Sequence, residues 1–224
     1  MKEQLVTEIV QMEWEMFDAV NSIGGRALCQ EDQESFLIMR ASQAEAWPEE
    51  LLFSYLSDLW QAKSECRNLM TEKYARMMET TAPDEFAAIA SFLPTVDEKT
   101  LELIERIVEI CLAWRVKASA RYPHLLARGR TTYSKDDTFS QTSYETYFRS
   151  ELMTYSPQTV QLFFEMIVDY QKTGNSLEEI TLLNSVRKYG YTSLQQANDQ
   201  ARPKISRQSP GAVGAAADKK TAKQ

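Results

Sequence analysis

Residues 3–21 read EQLVTEIVQMEWEMFDAVN, and this stretch decides the fold class. Its apolar side chains recur every three or four positions, which is the spacing of one face of an α-helix. The apolar positions on this face are Leu5, Ile9, Met12, Met16, Phe17 and Val20. The stretch therefore predicts an amphipathic helix. One acidic residue, Glu13, falls among the apolar positions, and we expect its side chain to point inward.

The composition of the whole chain favours helices. Hydrophobic residues make up 43% of the 224 positions and aromatic residues 10%, which is enough to build a substantial core. Only seven glycines and seven prolines are present, so the turn residues that strands and hairpins need are scarce. We predict an all-α fold, an irregular bundle of seven or eight helices, formed by a single domain over residues 1–200.

Several helix boundaries can be assigned from capping patterns. Pro48 suits the first turn of a helical span that runs to about residue 81, either as one long helix or with a bend near Ser64. Thr95–Glu98 and Ser176–Glu179 both match the capping-box pattern. Residues 124–143, HLLARGRTTYSKDDTFSQTS, form the one long polar loop, and loops of this length are often functional.

The charge is divided unevenly along the chain. Residues 201–224 hold six basic residues and one acidic residue, which leaves a net charge of −12 for residues 1–200. We expect the basic tail to be disordered, because it has almost no large apolar residue. An acidic body argues against a nucleic-acid surface. The chain shows neither a signal-peptide pattern nor about 18 consecutive apolar residues, so we expect no membrane contact and a cytoplasmic location.

The sequence does not indicate a metal-binding or cofactor-binding site. Cys29, Cys66 and Cys111 lie far apart without C-x-x-C spacing, so we expect reduced thiols and no zinc site. The only histidine, His124, cannot form a His-rich metal site, although one histidine suffices for proton transfer. A solvent-exposed position is the favoured interpretation of His124. We expect no metal and no cofactor.

Residues 22–30, SIGGRALCQ, follow the first helix. Gly24 and Gly25 fit a helix end, because glycine adopts the left-handed conformation at little cost, and the spacing matches no phosphate-binding loop. Cys29 lies beside Arg26 near the next helix, where a thiolate would be stabilised. It is a weak candidate for a reactive thiol, and an unreactive cysteine is the favoured interpretation.

Three segments carry a resemblance to a known family. EWEMFDAVNSIGGRALCQ, YETYFRSEL and RKYGYTSL resemble a mainly bacterial family of helical proteins that is catalogued as a domain of unknown function. The resemblance covers about residues 5–200. It implies family membership and a helical fold, and it implies no catalytic residue or ligand.

Charged and polar residues fall on apolar stripes of other helices as well. Phe36, Arg40, Gln43 and Trp47 form one stripe at i, i+4, i+7 and i+11. Lys63 lies close to an apolar line on the helical span that begins at Pro48, and Arg115 follows Ile104, Val108 and Cys111. With Glu13, these residues predict either a shared interior site of net positive charge or separate structural pairs and snorkelling side chains.

Two functions remain open on these observations. The narrowly favoured one is a metal-independent enzyme acting on a small anionic ligand, with Glu13 as general acid or base and a pocket lined by Arg26, Arg40, Gln43, Lys63 and Arg115. The alternative is a non-catalytic helical binding module with a protein partner and a structural charge network. The enzyme requires a concave polar pocket where these side chains converge, whereas the module requires an exposed apolar patch.

Overall fold

The computed structural model describes residues 1–21 and 25–203, and every regular element in those ranges is helical. The eleven α-helices are α1 Lys2–Asp18, α2 Gln33–Ala44, α3 Glu49–Ser64, α4 Leu69–Thr81, α5 Pro83–Ile89, α6 Glu98–Arg121, α7 Pro123–Leu126, α8 Tyr144–Leu152, α9 Pro157–Lys172, α10 Leu177–Lys188 and α11 Leu194–Ala201. Three short 3-10 helices span Leu28–Glu31, Ala90–Phe92 and Ser134–Asp136. The all-α prediction is confirmed.

The predicted count of seven or eight helices is wrong, since the described ranges contain eleven. The helical span after Pro48 is two helices, α3 and α4, because the chain turns at Cys66, whose φ of 57° is left-handed. Asn68 then caps α4, its side chain accepting a hydrogen bond from the backbone N–H of Thr71 at 2.9 Å. A proline also begins the short helix α7, at the head of the stretch that was predicted to be the long polar loop.

The caps confirm some of the predicted boundaries and correct one. Ser176 caps α10, since its hydroxyl accepts from the backbone N–H of Glu179. The cap of α6 is Asp97, not Thr95, because the Asp97 carboxylate accepts from the backbone N–H of Thr100 at 3.1 Å. Gly25 has the left-handed φ of +86°, but it lies six residues beyond Ala19, the C-cap of α1, so it does not end that helix as predicted; Gly24 lies outside the described residues.

The larger of two hydrophobic clusters lies where α1 packs on α2, α3 and α4, and where α6 packs on α8 and α9. A group of four aromatic residues lies in its centre. The ring of Trp47 meets the rings of Tyr55 and Phe163 edge-on, and the ring centroid of Tyr155 lies 4.7 Å from that of Tyr55. A smaller cluster joins the end of α6 to α7, α10 and α11. The polar network described below borders this aromatic group.

The long polar loop is held in place by Asp137. Its carboxylate accepts hydrogen bonds from the backbone N–H of Ser143 and from the hydroxyls of Thr80 and Thr146, at 2.5 to 2.7 Å. These bonds tie the loop to α4 and α8. Of the predicted disordered tail, residues 201–224, residues 204–224 lie outside the described residues, whereas Ala201, its first residue, is buried as the last residue of α11. No helix in the described ranges is long and apolar enough to cross a membrane.

Candidate functional site

Four charged side chains from four different helices meet in the interior. Glu13 comes from α1, Arg40 from α2, Lys73 from α4 and Glu151 from α8, and each residue is at most 5% exposed. We call this group, with the tyrosines bonded to it, the buried charge network. Burial of unpaired charge costs several kcal/mol, so its bonding decides what it can do.

Arg40 is the centre of the buried charge network. Its Nε and Nη2 both donate to the carboxylate of Glu13, with an Nε–Oε2 distance of 2.7 Å. Its Nη1 donates to Glu151 Oε1 at 2.9 Å and to Gln43 Oε1 at 2.7 Å. The forked geometry that suits arginine to anions is therefore used on the protein's own carboxylates.

Lys73 and two tyrosines complete the bonding. Lys73 Nζ donates to Glu151 Oε2 at 2.5 Å. Tyr55 donates its hydroxyl proton to Glu13 Oε1 at 2.7 Å, and Tyr155 donates to Glu151 Oε1 at 3.0 Å. Each of the four carboxylate oxygens therefore accepts at least one hydrogen bond from a protein side chain, which is the condition for keeping such charges buried.

Burial and neighbouring charges both shift the pKa values of the network, in opposite directions for Glu151 and Lys73. Burial alone would raise the pKa of Glu151, but the charges of Arg40 and Lys73 outweigh it and lower this pKa from 4.5 to about 2. Burial lowers the pKa of Lys73 below 10.5, and the carboxylate of Glu151 offsets part of this change. Burial and the neighbouring carboxylates raise the pKa of Tyr55 and Tyr155 well above 10. The tyrosines therefore stay neutral donors at neutral pH.

The network holds two carboxylates and two cations, so its formal charge is zero. The sequence predicted one carboxylate and three cations, and the difference arises because Glu151 and Lys73 enter while Lys63 and Arg115 stay outside. A further cation, Arg130, lies with its guanidinium carbon 4.4 Å from the ring centre of Tyr147, and Lys73 Nζ lies 3.5 Å from the same centre. The ring is thus shared by two cations.

Two of the predicted site residues lie at the surface. Lys63 has a side chain 53% exposed and pairs with Glu15 at 3.3 Å, so the expectation that it points inward is wrong. The side chain of Arg26 is 46% exposed and bonds to Asp18 and to Glu31. This pairing ties the segment after α1 back to α1, and it leaves Arg26 apart from the buried charge network.

Arg115 is buried in a separate ion pair. Its Nη1 donates to Glu178 Oε1 at 2.6 Å and its Nη2 donates to the backbone oxygen of Arg130 at 3.2 Å. Its Nε is buried and has no hydrogen-bond partner in the protein. The hydroxyl of Thr131, the residue after Arg130, is also buried without a hydrogen-bond partner. A water molecule bridging such atoms is the usual solution in proteins. Arg115 therefore braces α6 against α10 and the long loop.

The weak candidates His124 and Cys29 lie away from the network. His124 is the second residue of the small helix α7, and its Nε2 accepts a hydrogen bond from Arg202 at 3.3 Å. Cys29 is exposed in the first 3-10 helix, so it is no core residue, whereas Cys111 is buried. The predicted site residues that the structure brings together are Glu13, Arg40 and Gln43.

Sequence reasoning missed Lys73, Glu151 and Tyr55, although a helical signal existed for two of them. Glu151 lies between Tyr147 and Tyr155 at i, i+4 and i+8 on an aromatic stripe. Lys73 lies between the buried residues Met70 and Met77 of α4. Its stripe was hidden because one continuous helix through Cys66 gives the wrong helical phase for everything after the turn.

Some surface grooves in the described part of the chain lie away from the buried charge network. Three of them, with volumes of about 360, 610 and 660 Å³, are lined mainly by α1, α2, α3 and α9, and none of these three is lined by Glu13, Arg40, Lys73 or Glu151. The described residues also contain no group of three or more His, Cys, Asp or Glu side chains placed to hold a metal ion.

The fold and its interior define an all-helical protein with a neutral, closed charge network. The chain belongs to the family described as protein of unknown function DUF4125, whose match covers residues 3–199. The predicted membership of a domain-of-unknown-function family is thereby confirmed. No curated protein and no solved structure matches the chain.

Proposed function

We propose that this protein is a non-catalytic helical binding module, in which the buried charge network fixes the packing of α1, α2, α4 and α8. One observation carries the proposal: every carboxylate oxygen of Glu13 and Glu151 already accepts a hydrogen bond from a protein donor. A general acid or base must exchange a proton with substrate, and an anion site needs free donors. Glu13 is 1% exposed, and Arg40 uses Nε, Nη1 and Nη2 on protein acceptors.

The exposed surface offers a place for a protein partner. Phe92 and Phe139 are 84% and 83% exposed, far more than an apolar core would leave them. Both belong to segments anchored on α4: Arg76 Nη2 donates to the backbone oxygen of Pro94 at 2.5 Å, and Thr80 donates to Asp137. The two anchoring residues of α4, Arg76 and Thr80, are one helical turn apart. Exposed aromatic side chains on an anchored surface are typical of protein interfaces.

The proposal is tested by a thermal-shift screen of carboxylates, phosphates, amino acids and nucleotides against the wild-type protein and Arg40→Ala. We expect no compound to stabilise the wild type through Arg40, and we expect Arg40→Ala to melt at a lower temperature because Glu13 and Glu151 lose a partner. Lys63→Ala is the matched control, since its ion pair is exposed. An anion that raises the melting temperature of the wild type and the control, but not of Arg40→Ala, would support the enzyme instead.

A further inference from the structure

An acidic groove runs along the face of α1 that meets α3. Its volume is about 610 Å³, and its charged lining residues are Glu3, Glu8, Glu15 and Lys63. Lys63 pairs with Glu15. Glu3 and Glu8 have no cationic partner among the described residues, although Glu8 Oε1 accepts a hydrogen bond from the indole N–H of Trp60 at 3.1 Å. The groove therefore carries uncompensated negative charge.

Trp60 gives the groove an aromatic wall. Trp60 is 50% exposed, and Lys63 Nζ lies 5.5 Å from the centre of its ring. Met12, which is 5% exposed, also lines the groove. A half-exposed indole beside carboxylates favours a cationic chain with short apolar parts, because the ring accepts both a cation and methylene groups.

The chain itself contains a segment of this chemistry. Residues 204–224 carry five basic residues and one acidic residue, in two groups near residues 204–207 and 219–223. Extended, this tail spans up to about 70 Å, which exceeds the diameter of a domain of this size. The tail begins beside α7, where Arg202 donates a hydrogen bond to His124 just after α11. The end of α10 lies beside the start of α1, because Lys2 and Lys188 both bond to Glu45. Only a short loop and α11 separate Lys188 from Pro203.

We propose that the basic tail, residues 204–224, docks in the acidic groove between α1 and α3 of the same chain. Exposed ion pairs are individually weak, but attachment to the domain gives the tail an effective concentration near the millimolar range. The docked tail would occupy the groove until a competing cationic segment displaces it. This inference goes beyond the proposed binding module, and it stands or fails independently of the surface around Phe92.

The test follows the indole N–H resonance of Trp60 in the ¹⁵N spectrum of the full chain, assigned by Trp60→Phe, at about 20 mM and about 500 mM NaCl. A second protein has all five tail cations replaced by glutamine: Lys204→Gln, Arg207→Gln, Lys219→Gln, Lys220→Gln and Lys223→Gln. We expect the two proteins to differ in the Trp60 resonance at low salt and to agree at high salt, because salt screens the attraction. Trp14, which does not line the groove, should give the same resonance in both.

Two further variants locate the contact. Glu3→Gln with Glu15→Gln should remove most of the salt-dependent shift, whereas Asp84→Asn with Glu85→Gln, on exposed positions of α5, should leave it unchanged. Circular dichroism melting curves verify that every variant is folded. Identical Trp60 resonances in the wild-type and tail-neutralised proteins at low salt would overturn the proposal. A shift that grows with protein concentration would also overturn it, because the tail of a second copy would then be the occupant.

Discussion

Arg40 and Glu151 are 111 positions apart in the chain and meet at 2.9 Å in the interior, with side chains 5% and 7% exposed. Their contact joins α2 to α8. Removing each of two such charges from water costs several kcal/mol. The pair can stay buried because Glu13 and Lys73 bring the net charge of the network to zero and because the tyrosines donate further hydrogen bonds to the carboxylates. Loss of one member is therefore more damaging than the energy of a single hydrogen bond would indicate.

Glu151→Gln tests this dependence on a complete network. The variant keeps the shape of the side chain but removes the charge that Lys73 and Arg40 share, so we expect the free energy of unfolding to fall by about 3–5 kcal/mol at pH 7. Urea denaturation measures this change in the free energy of unfolding. Glu105→Gln is the control, because Glu105 pairs with Arg149 at the surface with a side chain 55% exposed and should cost less than about 1 kcal/mol. Equal losses in the two variants would contradict the account.

The stability contributed by Glu151 should depend on pH. Its pKa is about 2 in the folded protein against 4.5 without the fold, so the folded state binds the proton less readily. The contribution is complete above about pH 4.5 and is lost as the pH falls toward 2. From pH 7 to pH 3, the stability gap between the wild-type protein and Glu151→Gln should narrow by about 2 kcal/mol. A gap that is constant or widens over this range would show that the carboxylate is not held ionised.

Cys66 stores backbone strain at the turn between α3 and α4. It is the one residue other than glycine with a positive φ in the described ranges, and its side chain is exposed. The left-handed conformation costs an ordinary residue about 1–2 kcal/mol, so Cys66→Gly should raise the free energy of unfolding by about 0.5–1 kcal/mol after the extra freedom of the unfolded chain is counted. Cys66→Val, with a β-branched side chain, should lower it. Thermal and urea unfolding of both variants would settle the sign.

Phe92 and Phe139 should be dispensable for folding if they serve a partner. We expect Phe92→Ser with Phe139→Ser to change the free energy of unfolding by less than about 1 kcal/mol, because both side chains are already in water. Phe163→Ala, at a position 1% exposed, should cost about 3–5 kcal/mol. A large loss in the double serine variant would assign the two phenylalanines to the core and remove the proposed partner surface.

The sequence predicted the helical class and half of the charged network. The inward positions of Glu13 and Arg40 follow from helical phase alone, because the helices that carry them are regular and their apolar stripes are wide. Lys73 was missed because the phase of α4 is reset at Cys66, and no proline or glycine marks that turn. Lys63 shares the helical phase of the apolar positions of α3, but it lies one residue before the end of that helix, where its side chain reaches solvent and pairs with Glu15.

The pairing of side chains from helices far apart in the chain could not be predicted from the sequence. Nothing in the local pattern around Glu151 says that it meets Arg40, since that contact depends on how α8 packs against α2 and α4. Arg26 was grouped with the site only because it lies near Arg40 in the chain, whereas the structure pairs it with Asp18 on the preceding helix. Proximity in sequence is a poor guide to convergence when short segments connect the helices.

The most direct test of a closed structural network is a double-mutant cycle between Arg40→Met and Glu13→Gln. The free energy of unfolding is measured at pH 7 for the wild type, both single variants and the double variant. A closed structural network predicts that the double variant loses at least about 2 kcal/mol less than the sum of the single losses, because each single variant leaves the other side chain buried without its partner. Losses that add to within about 0.5 kcal/mol would contradict it, and would mean that Arg40 and Glu13 are free to bind something other than each other.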